Sequence, residues 1–263
     1  VGRNVLSARA NLEDLVMRFS MPPETVLERV EAAAEAMLAV RAKRVPPALD
    51  DKVRTSWNGL AMAAFAEAGR VLGEVRYQVA AAELAAFIRS SAWREGRLSH
   101  TWKAGQAKVE GMLDDYCFVG LGLVELFKLT GDMALLEWAR ELWEAVLSRF
   151  RDVERGGFFE TPADSEPLLL RQKAFFDAAT PSGNGAAALL GLWLGRYYGR
   201  NDWELQAEEV AGQVADHLLR AVPGFGTILQ VIEFLVTPGR ELVIIGPPER
   251  RVAFEDAAAT RFL

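Results

Sequence analysis

Apolar residues recur along this chain at spacings of three and four, the pattern of helices that bury one face. Three pairs of such segments follow one another, and in each pair a short turn separates a first helix from a second. The first helices are rich in glycine and alanine, and each stops at a glycine suited to close a helix, namely Gly73, Gly131 or Gly199. The pattern predicts helices over 55–73 and 77–90, over 114–131 and 135–150, and over 180–199 and 203–219.

The three pairs form an internal repeat, with a period of roughly 60 to 70 residues that exceeds the period of common solenoid repeats. A short extended piece follows each pair, around Gly96, Gly157 and Gly224. Small side chains allow the first helices to approach one another closely, which suits an inner ring, and the second helices suit an outer ring. We therefore predict an all-α fold of the (α/α) toroid type with short β insertions, in which all inner helices run the same way.

The segments outside the repeat add little to this prediction. A lone amphipathic helix is predicted from Thr25 to about Arg41, and a linker connects it to the first pair. Residues 240–246 predict a C-terminal β-strand, and a weak amphipathic helix is predicted after it. We interpret the chain as one toroid-type domain over 1–263, with the lone helix and linker over 1–49, the three helix pairs over 50–239, and the strand and tail over 240–263.

Charge and composition argue against several classes of protein. The 263 residues carry a net charge of −6, from 30 basic and 36 acidic side chains, which argues against a nucleic-acid binder. Cys117 is the one cysteine, so no intrachain disulfide forms, and two histidines, His100 and His217, cannot build a multi-histidine metal site. No run of 18 apolar residues occurs, so we expect no membrane span. We expect no metal, no cofactor and a location in the cytoplasm.

Candidate functional residues concentrate before the inner helices. If those helices run the same way, their N-terminal ends share one rim, where helix dipoles favour anionic or hydroxyl-rich ligands. The rim segments combine carboxylate, aromatic, amide and hydroxyl groups, the mixture that binds sugars. The acid or base candidates are Asp114, Asp115, Asp177 and His100, and the ligand-binding candidates are Asp51, Lys52, Trp57, Asn58, Tyr116, Ser182 and Asn184.

Four motifs in a fixed order carry a resemblance to a known family. The chain contains, in this order, DDKV with TSWNGL, then LDDY, then D-A with PSGN, and then ELVI with a glycine. This order resembles the C-terminal part of the thioredoxin-domain-containing, spermatogenesis-associated-protein-20-like family. In that family a thioredoxin-like domain precedes a six-hairpin (α/α) region similar to N-acylglucosamine 2-epimerases and six-hairpin glycosidases. The resemblance implies a toroid of the six-hairpin glycosidase type and a carbohydrate-active domain.

The chain departs from that family pattern in two ways. The thioredoxin-like domain with its cysteines has no counterpart. The lone helix and the three pairs also give seven helices, whereas a closed ring of six hairpins needs twelve. We therefore expect an incomplete ring with an exposed apolar flank, and either self-association or docking with upstream segments. The first residue is Val1 rather than methionine, so we expect the chain to be the C-terminal portion of a longer protein.

Each carboxylate and histidine candidate has a structural alternative that the residues leave open. Asp114 and Asp115 are acid or base candidates, but one of them can simply cap a helix. Asp177 can contact a ligand or order its loop, and Asp51 can lie in a solvated turn. His100 can face the rim or lie in a solvated loop. Epimerases of the resembled superfamily use two histidines for proton transfer, and this chain offers at most one in a plausible place.

The aromatic and amide candidates leave the same choice open. Trp57 and Tyr116 occupy equivalent positions in the repeat, where either can stack on a sugar or pack in the core. Asn58 and Asn184 also recur there, and each can bond a neighbouring loop or a ligand. The alternative to a carbohydrate-active domain is a non-catalytic scaffold that binds a ligand or docks a thioredoxin-like domain. The discriminating feature is whether the rim carboxylates are open or are all used as caps.

Overall fold

The computed structural model of the chain describes Ser7, residues 9–237 and residues 242–259. The chain forms two compact units, Val1–Asp50 and Asp51–Leu263. The division falls within one residue of the predicted end of the linker, and the interpretation of the whole chain as one toroid-type domain stays a prediction.

The described part of the first unit holds two helices, α1 (Leu12–Phe19) and α2 (Pro23–Arg41). The lone helix predicted from Thr25 is α2. Helix α1 was not predicted, because eight residues are too few to show a helical period. Its start is nevertheless encoded locally, since Asn11 Oδ1 accepts a hydrogen bond from the Asp14 N–H at 2.8 Å. The sequence predicts that four apolar side chains of α2 need cover; Val26 is buried, whereas Val30, Met37 and Leu38 are about half exposed.

The second unit contains the three predicted helix pairs. Each inner helix ends at its predicted glycine, and all three glycines have positive φ angles, of +66° at Gly73, +70° at Gly131 and +63° at Gly199. The pairs are α3 (Thr55–Leu72) with α4 (Val75–Ser91), α5 (Leu113–Thr130) with α6 (Met133–Arg149), and α7 (Gly183–Tyr198) with α8 (Asn201–Leu218).

The inner helices pack in the order α3, α5, α7, and their small residues permit the close approach. A Cβ built on Gly59 of α3 would lie 2.5 Å from the carbonyl carbon of Phe118 in α5, and one on Gly122, further along α5, would lie 2.6 Å from Met62, further along α3. The contacts advance in the same direction on both helices, so α3 and α5 are parallel.

Helix α7 is parallel to α5 by the same test. A Cβ on Gly183 would meet Leu113, and one on Gly120 would meet Leu190. The N-terminal ends of all three inner helices therefore lie on the same side, which confirms the predicted common rim.

The described residues form four short strands, one after the linker and three after the first pair. They are β1 (Val53–Arg54), β2 (Trp93–Arg94), β3 (Arg97–Lys103) and β4 (Gln106–Glu110). Strand β3 pairs antiparallel with the other three, and Arg54 of β1 lies opposite Thr101. Thr55, the first residue of α3, donates its hydroxyl hydrogen to the Ser99 carbonyl. This sheet therefore places β3 beside the rim.

The C-terminal region differs from the prediction. Residues 242–245 form no strand, and residues 240 and 241 lie outside the described residues. An apolar run pairs as a strand only where a neighbouring strand offers its backbone, and periodicity does not reveal such a neighbour. The piece around Gly224 is not extended but a 3₁₀ turn, Val222–Phe225, that leads into an unpredicted helix, α9 (Gly226–Val236).

The tail forms the predicted helix, α10 (Pro248–Ala259). Across the described part of the chain, no helix combines the length and the apolar character that crossing a membrane requires.

Candidate functional site

The carboxylate of Asp115 joins three segments at the rim. It lies in the first turn of α5 and is wholly buried. Its Oδ1 accepts the N–H of Ser56 at 2.8 Å, and its Oδ2 accepts the N–H of Met112 at 2.8 Å. Oδ2 also lies 2.7 Å from Nδ1 of His100 on β3. Because Ser56 stands in the first turn of α3, one carboxylate caps two inner helices and holds the histidine.

The partners of His100 determine where its proton lies. A carboxylate only accepts hydrogen bonds, so Nδ1 carries the hydrogen that is donated to Asp115. The other ring nitrogen, Nε2, is 3.2 Å from Nη2 of Arg54, and a guanidinium only donates. The geometry therefore fits a neutral imidazole whose Nε2 lone pair accepts from Arg54.

The electrostatics of the pair follow from its burial and its hydrogen bond. The hydrogen bond with Asp115 raises the pKa of His100 above its usual value, although burial acts in the opposite direction. Burial raises the pKa of Asp115, while its hydrogen bonds with His100 and the Met112 N–H stabilise the ionised form and oppose that rise. The nearby charge of Asp114 raises the pKa of both groups.

Asp114 is the candidate carboxylate with unused acceptor capacity. It is half-buried, and its carboxylate has no hydrogen bond or ion pair with any residue that the structure describes. A ligand atom of Asp114 lies within 4.8 Å of ligand atoms of His100 and Asp115. Three such groups could in principle hold a metal ion. However, the oxygens of Asp115 already accept three N–H groups. The cluster is therefore better described as a hydrogen-bonded aspartate–histidine pair beside a second carboxylate than as a set of metal ligands.

Trp57 and Asn58 extend the site along the first turn of α3. The Trp57 ring is 57% exposed, and the guanidinium carbon of Arg54 lies 5.0 Å from its centroid. The side-chain amide of Asn58 donates to the Arg54 carbonyl at 2.7 Å. Trp57 thus offers an aromatic face at the rim, and Asn58 holds the backbone that carries Arg54.

Tyr116, by contrast, lies in the core. Its ring is wholly buried, and its hydroxyl oxygen lies 2.9 Å from the Leu98 N–H and 2.8 Å from Nη1 of Arg149. A ring without exposed surface offers no face to a sugar. Trp57 and Tyr116 lie 16 and 15 residues before their closing glycines, so their positions are offset by one residue rather than equivalent, and only Trp57 is placed to stack.

The candidates before α7 are bonded to backbone groups. Asp177 accepts the N–H of Ser182 at 2.8 Å and the N–H of Thr227 at 2.7 Å, which ties the starts of α7 and α9 together. Ser182 caps α7 through the Gly185 N–H at 3.3 Å. The structure thus shows the loop-ordering hydrogen bonds that the sequence left as an alternative for Asp177.

The side chain of Asn184 is likewise bonded to backbone groups, through three hydrogen bonds. Its amide oxygen accepts the Phe158 N–H at 2.7 Å, and its amide nitrogen donates to the carbonyls of Phe158 and Ala174 at 2.9 and 3.0 Å. The side chain is wholly buried. Asn184 therefore replaces the hydrogen bonds of a neighbouring strand, and whether it also contacts a ligand stays a prediction.

Asp51 and Lys52 lie on the exposed side of the sheet. Asp51 forms an ion pair with Lys103, and that hydrogen bond lowers the pKa of Asp51. Lys52 lines a cavity of about 270 Å³ together with Thr101, Lys103, Ala104, Gln106 and Lys108. Neither residue is among the contacts of the His100 and Asp115 pair.

Sequence reasoning missed Arg54, which contacts both His100 and Trp57. One local signal was present. A cation directly before a helix is unfavourable for the helix dipole, and Arg54 occupies the N-cap position of α3 without a side-chain capping bond. Tertiary contacts, rather than the stability of the helix, therefore explain an arginine in that position.

Known proteins are similar in sequence to most of this chain. No family model matches it. Spermatogenesis-associated protein 20 of Homo sapiens is 35% identical over 213 residues, which cover 77% of this chain and 27% of the human protein. The rat protein of that name is 30% identical over 261 residues, which cover 95% of this chain and 33% of the relative.

The human and rat relatives are both named spermatogenesis-associated protein 20. The chain spans about a third of the length of these curated relatives. The thioredoxin-like domain that the resemblance implies lies outside what these matches show.

Solved structures with the same fold are sugar enzymes of the six-hairpin type. A glycoside hydrolase family 76 α-mannanase from Bacteroides thetaiotaomicron has a TM-score of 0.57 at 13% identity, over 83% of this chain and 58% of that chain. Cellobiose 2-epimerase from Bacillus thermoamylovorans has a TM-score of 0.52 at 13% identity, over 64% of this chain and 46% of that chain. At such identities the likeness confirms the six-hairpin toroid fold and no more.

Proposed function

We propose that the chain carries a sugar-directed proton-transfer site, in which His100 and Asp114 are the acid and base and Asp115 is a positioning residue. One observation supports this above all. The hydrogen-bonded pair of His100 and Asp115 lies on the rim beside a carboxylate with unused acceptor capacity. Trp57 supplies an exposed aromatic face next to it.

The hydrogen bonds favour proton transfer over glycoside hydrolysis. Glycoside hydrolysis uses two carboxyl groups that both reach the scissile bond. Asp115 is wholly buried and its oxygens accept three N–H groups, while both oxygens of Asp177 accept backbone N–H groups. Two candidates then remain: Asp114, whose carboxylate oxygens are free to accept hydrogen bonds, and His100, whose ring nitrogen can take up a proton. Such a pair suits epimerisation or isomerisation.

The proposed reaction begins at a carbon next to a sugar carbonyl. Nε2 of His100 takes the proton from that carbon, and the electron pair stays on the sugar as an enediolate. Asp115 stabilises the resulting imidazolium through Nδ1. The imidazolium then gives the proton to the neighbouring carbon, while the Asp114 carboxylate takes the proton of the hydroxyl on the first carbon and passes it to the carbonyl oxygen, so both groups regain their starting protonation states. The proteins of like fold include a D-mannose isomerase and cellobiose 2-epimerases from two bacteria.

The second candidate is a non-catalytic scaffold that binds a ligand or docks a thioredoxin-like domain. The observation that favours it is the bonding of Asp177 and Asn184, because these rim residues spend their polar atoms on the chain itself. We also propose a cytoplasmic location, no nucleic-acid or membrane partner, and self-association or docking with segments beyond this chain. Light scattering tests the last point, since a stable monomer would contradict self-association.

The test is a thermal-shift screen with D-mannose, cellobiose and mannobiose, followed by proton NMR in D₂O. We expect a sugar that stabilises the chain also to exchange the hydrogen next to its carbonyl. His100→Gln and Asp114→Asn should abolish that exchange, with a loss of about 100- to 10,000-fold for a general acid or base.

His217→Gln and Asp216→Asn are the matched controls, because both residues are exposed on α8. Exchange that persists in the double variant of His100 and Asp114 would contradict the proposal. A thermal shift without exchange would favour the scaffold.

A further inference from the structure

The base nitrogen of His100 is occupied in the structure. Nη2 of Arg54 lies 3.2 Å from Nε2, and Nδ1 is already bonded to Asp115. Both ring nitrogens therefore have partners. A base needs a free lone pair directed at the substrate proton, so His100 can act only after the guanidinium has moved.

Arg54 is held in this place by few other contacts. Its guanidinium lies over the exposed ring of Trp57, and its Nε is buried without a hydrogen-bond partner among the described residues. A buried N–H without a partner costs free energy, and it gains an acceptor only when something new enters the site. The guanidinium thus has unused donors at the entrance to His100.

We propose that Arg54 is a ligand-displaced latch, which covers Nε2 of His100 in the unliganded chain and frees it when the oxygens of a bound ligand take over the guanidinium. This inference rests on the proposed function and deepens it. Arg54 is a positioning residue here, since its departure switches on the histidine.

The charges around His100 indicate which ligand releases the latch. The charged groups facing it are Asp114 and Asp115 from α5 and Arg54 from β1. With a neutral imidazole these groups sum to −1. An acidic sugar would add a second negative charge beside Asp114, whereas an uncharged sugar adds none. A planar guanidinium donates well to two adjacent oxygens, such as a carbonyl and the neighbouring hydroxyl. The ligand class is therefore an uncharged sugar with a carbonyl next to a hydroxyl-bearing carbon.

The test uses the fact that the chain has only two histidines. Reaction with diethyl pyrocarbonate consumes the free nitrogen of a neutral imidazole, and mass spectrometry measures the rates at His100 and His217 separately. The comparison is made at about pH 8.5, where the neutral form of histidine dominates. Arg54→Met removes the donor and keeps an unbranched stem over Trp57, whereas Arg54→Lys keeps a donor.

We expect Arg54→Met to raise the rate at His100 about fivefold, the factor by which one net hydrogen bond shifts an equilibrium, and to leave the rate at His217 unchanged. Arg54→Lys should stay nearer the parent chain. Arg76→Gln is the matched control, because Arg76 is an exposed arginine that likewise lies over an aromatic ring, that of Tyr77. An unchanged rate at His100 in a folded Arg54→Met variant overturns the latch.

The ligand class is tested on the parent chain by nitrogen NMR of the imidazoles. D-mannose and cellobiose should shift the Nε2 signal of His100 at lower concentration than D-glucuronate, with no shift at His217. A stronger effect of D-glucuronate overturns the ligand class. If none of the three sugars shifts His100, the proposed function is contradicted, while the reaction of Arg54→Met still decides whether Arg54 covers the nitrogen.

Discussion

The substitution Asp115→Asn removes the one charge that is shared by α3, α5 and β3. An amide keeps one oxygen acceptor but presents an NH₂ group to donors that the second carboxylate oxygen now accepts. Leaving a buried N–H donor without its acceptor costs about 1 to 3 kcal/mol, and two such donors, on His100 and Met112, face the replaced oxygen. We expect a loss of that size in the free energy of unfolding, because the carboxylate is wholly buried and no water can replace its contacts.

The same substitution should lower the pKa of His100, since the hydrogen bond with Asp115 is the main cause of its rise. A raised pKa means that the folded chain holds the proton more tightly than the unfolded chain. The stabilisation is complete below the pKa of histidine in the unfolded chain, and it is lost as the pH rises through the higher pKa of the folded chain. As the pH rises between these two pKa values of His100, the parent chain should therefore lose more stability than Asp115→Asn does.

Urea denaturation at several pH values measures the free energy, and NMR titration measures both histidines, with His217 as the internal reference. Asp114→Asn is the matched control, because the neighbouring carboxylate has no bonded partner in the described part of the chain, and its change should stay within about 0.5 kcal/mol. If Asp115→Asn costs no more than this control and leaves the His100 titration unchanged, the account of a buried aspartate–histidine pair is wrong.

Two further substitutions test the packing that builds the rim. Gly59→Ala places a Cβ 2.5 Å from the backbone of Phe118, so it should cost about 1 to 3 kcal/mol in urea denaturation, whereas Gly212→Ala, with open space around it, should stabilise its helix by about 0.5 to 1 kcal/mol. Asn184→Ala should cost about 3 kcal/mol and should accelerate hydrogen exchange at the Phe158 amide, which loses its acceptor. Equal stability of the two glycine variants, or unchanged hydrogen exchange at the Phe158 amide, would contradict this packing.

The helix pairs could be predicted because their signals are local. The period of apolar residues, the small residues of the inner helices and the closing glycines all act within one helix or its turn. The common rim followed from the repeat, since equivalent helices in equivalent positions run the same way. Helices α1 and α9 escaped prediction because the first is short and the second follows a glycine-rich piece that resembles a loop.

The site was predictable as a region but not as a set of roles. Asp114 and Asp115 are adjacent in the sequence, and nothing in either residue says which one is buried. Successive helical residues point about 100° apart, so the packing of α3 against α5 encloses Asp115 and leaves Asp114 half-buried at the rim. Tyr116 and Trp57 diverge for the same reason, because one faces the core and the other lies at the free side of α3.

The sequence by itself determined the helix pairs, their direction and the rim on which the polar residues gather, because periodicity and helix ends are properties of short segments. Only the tertiary structure decided that His100 meets Asp115 and Arg54. These residues come from β3, α5 and β1, and they are brought together by strand pairing and by the parallel packing of α3 and α5. Contacts between distant segments depend on register and approach, which no local pattern records.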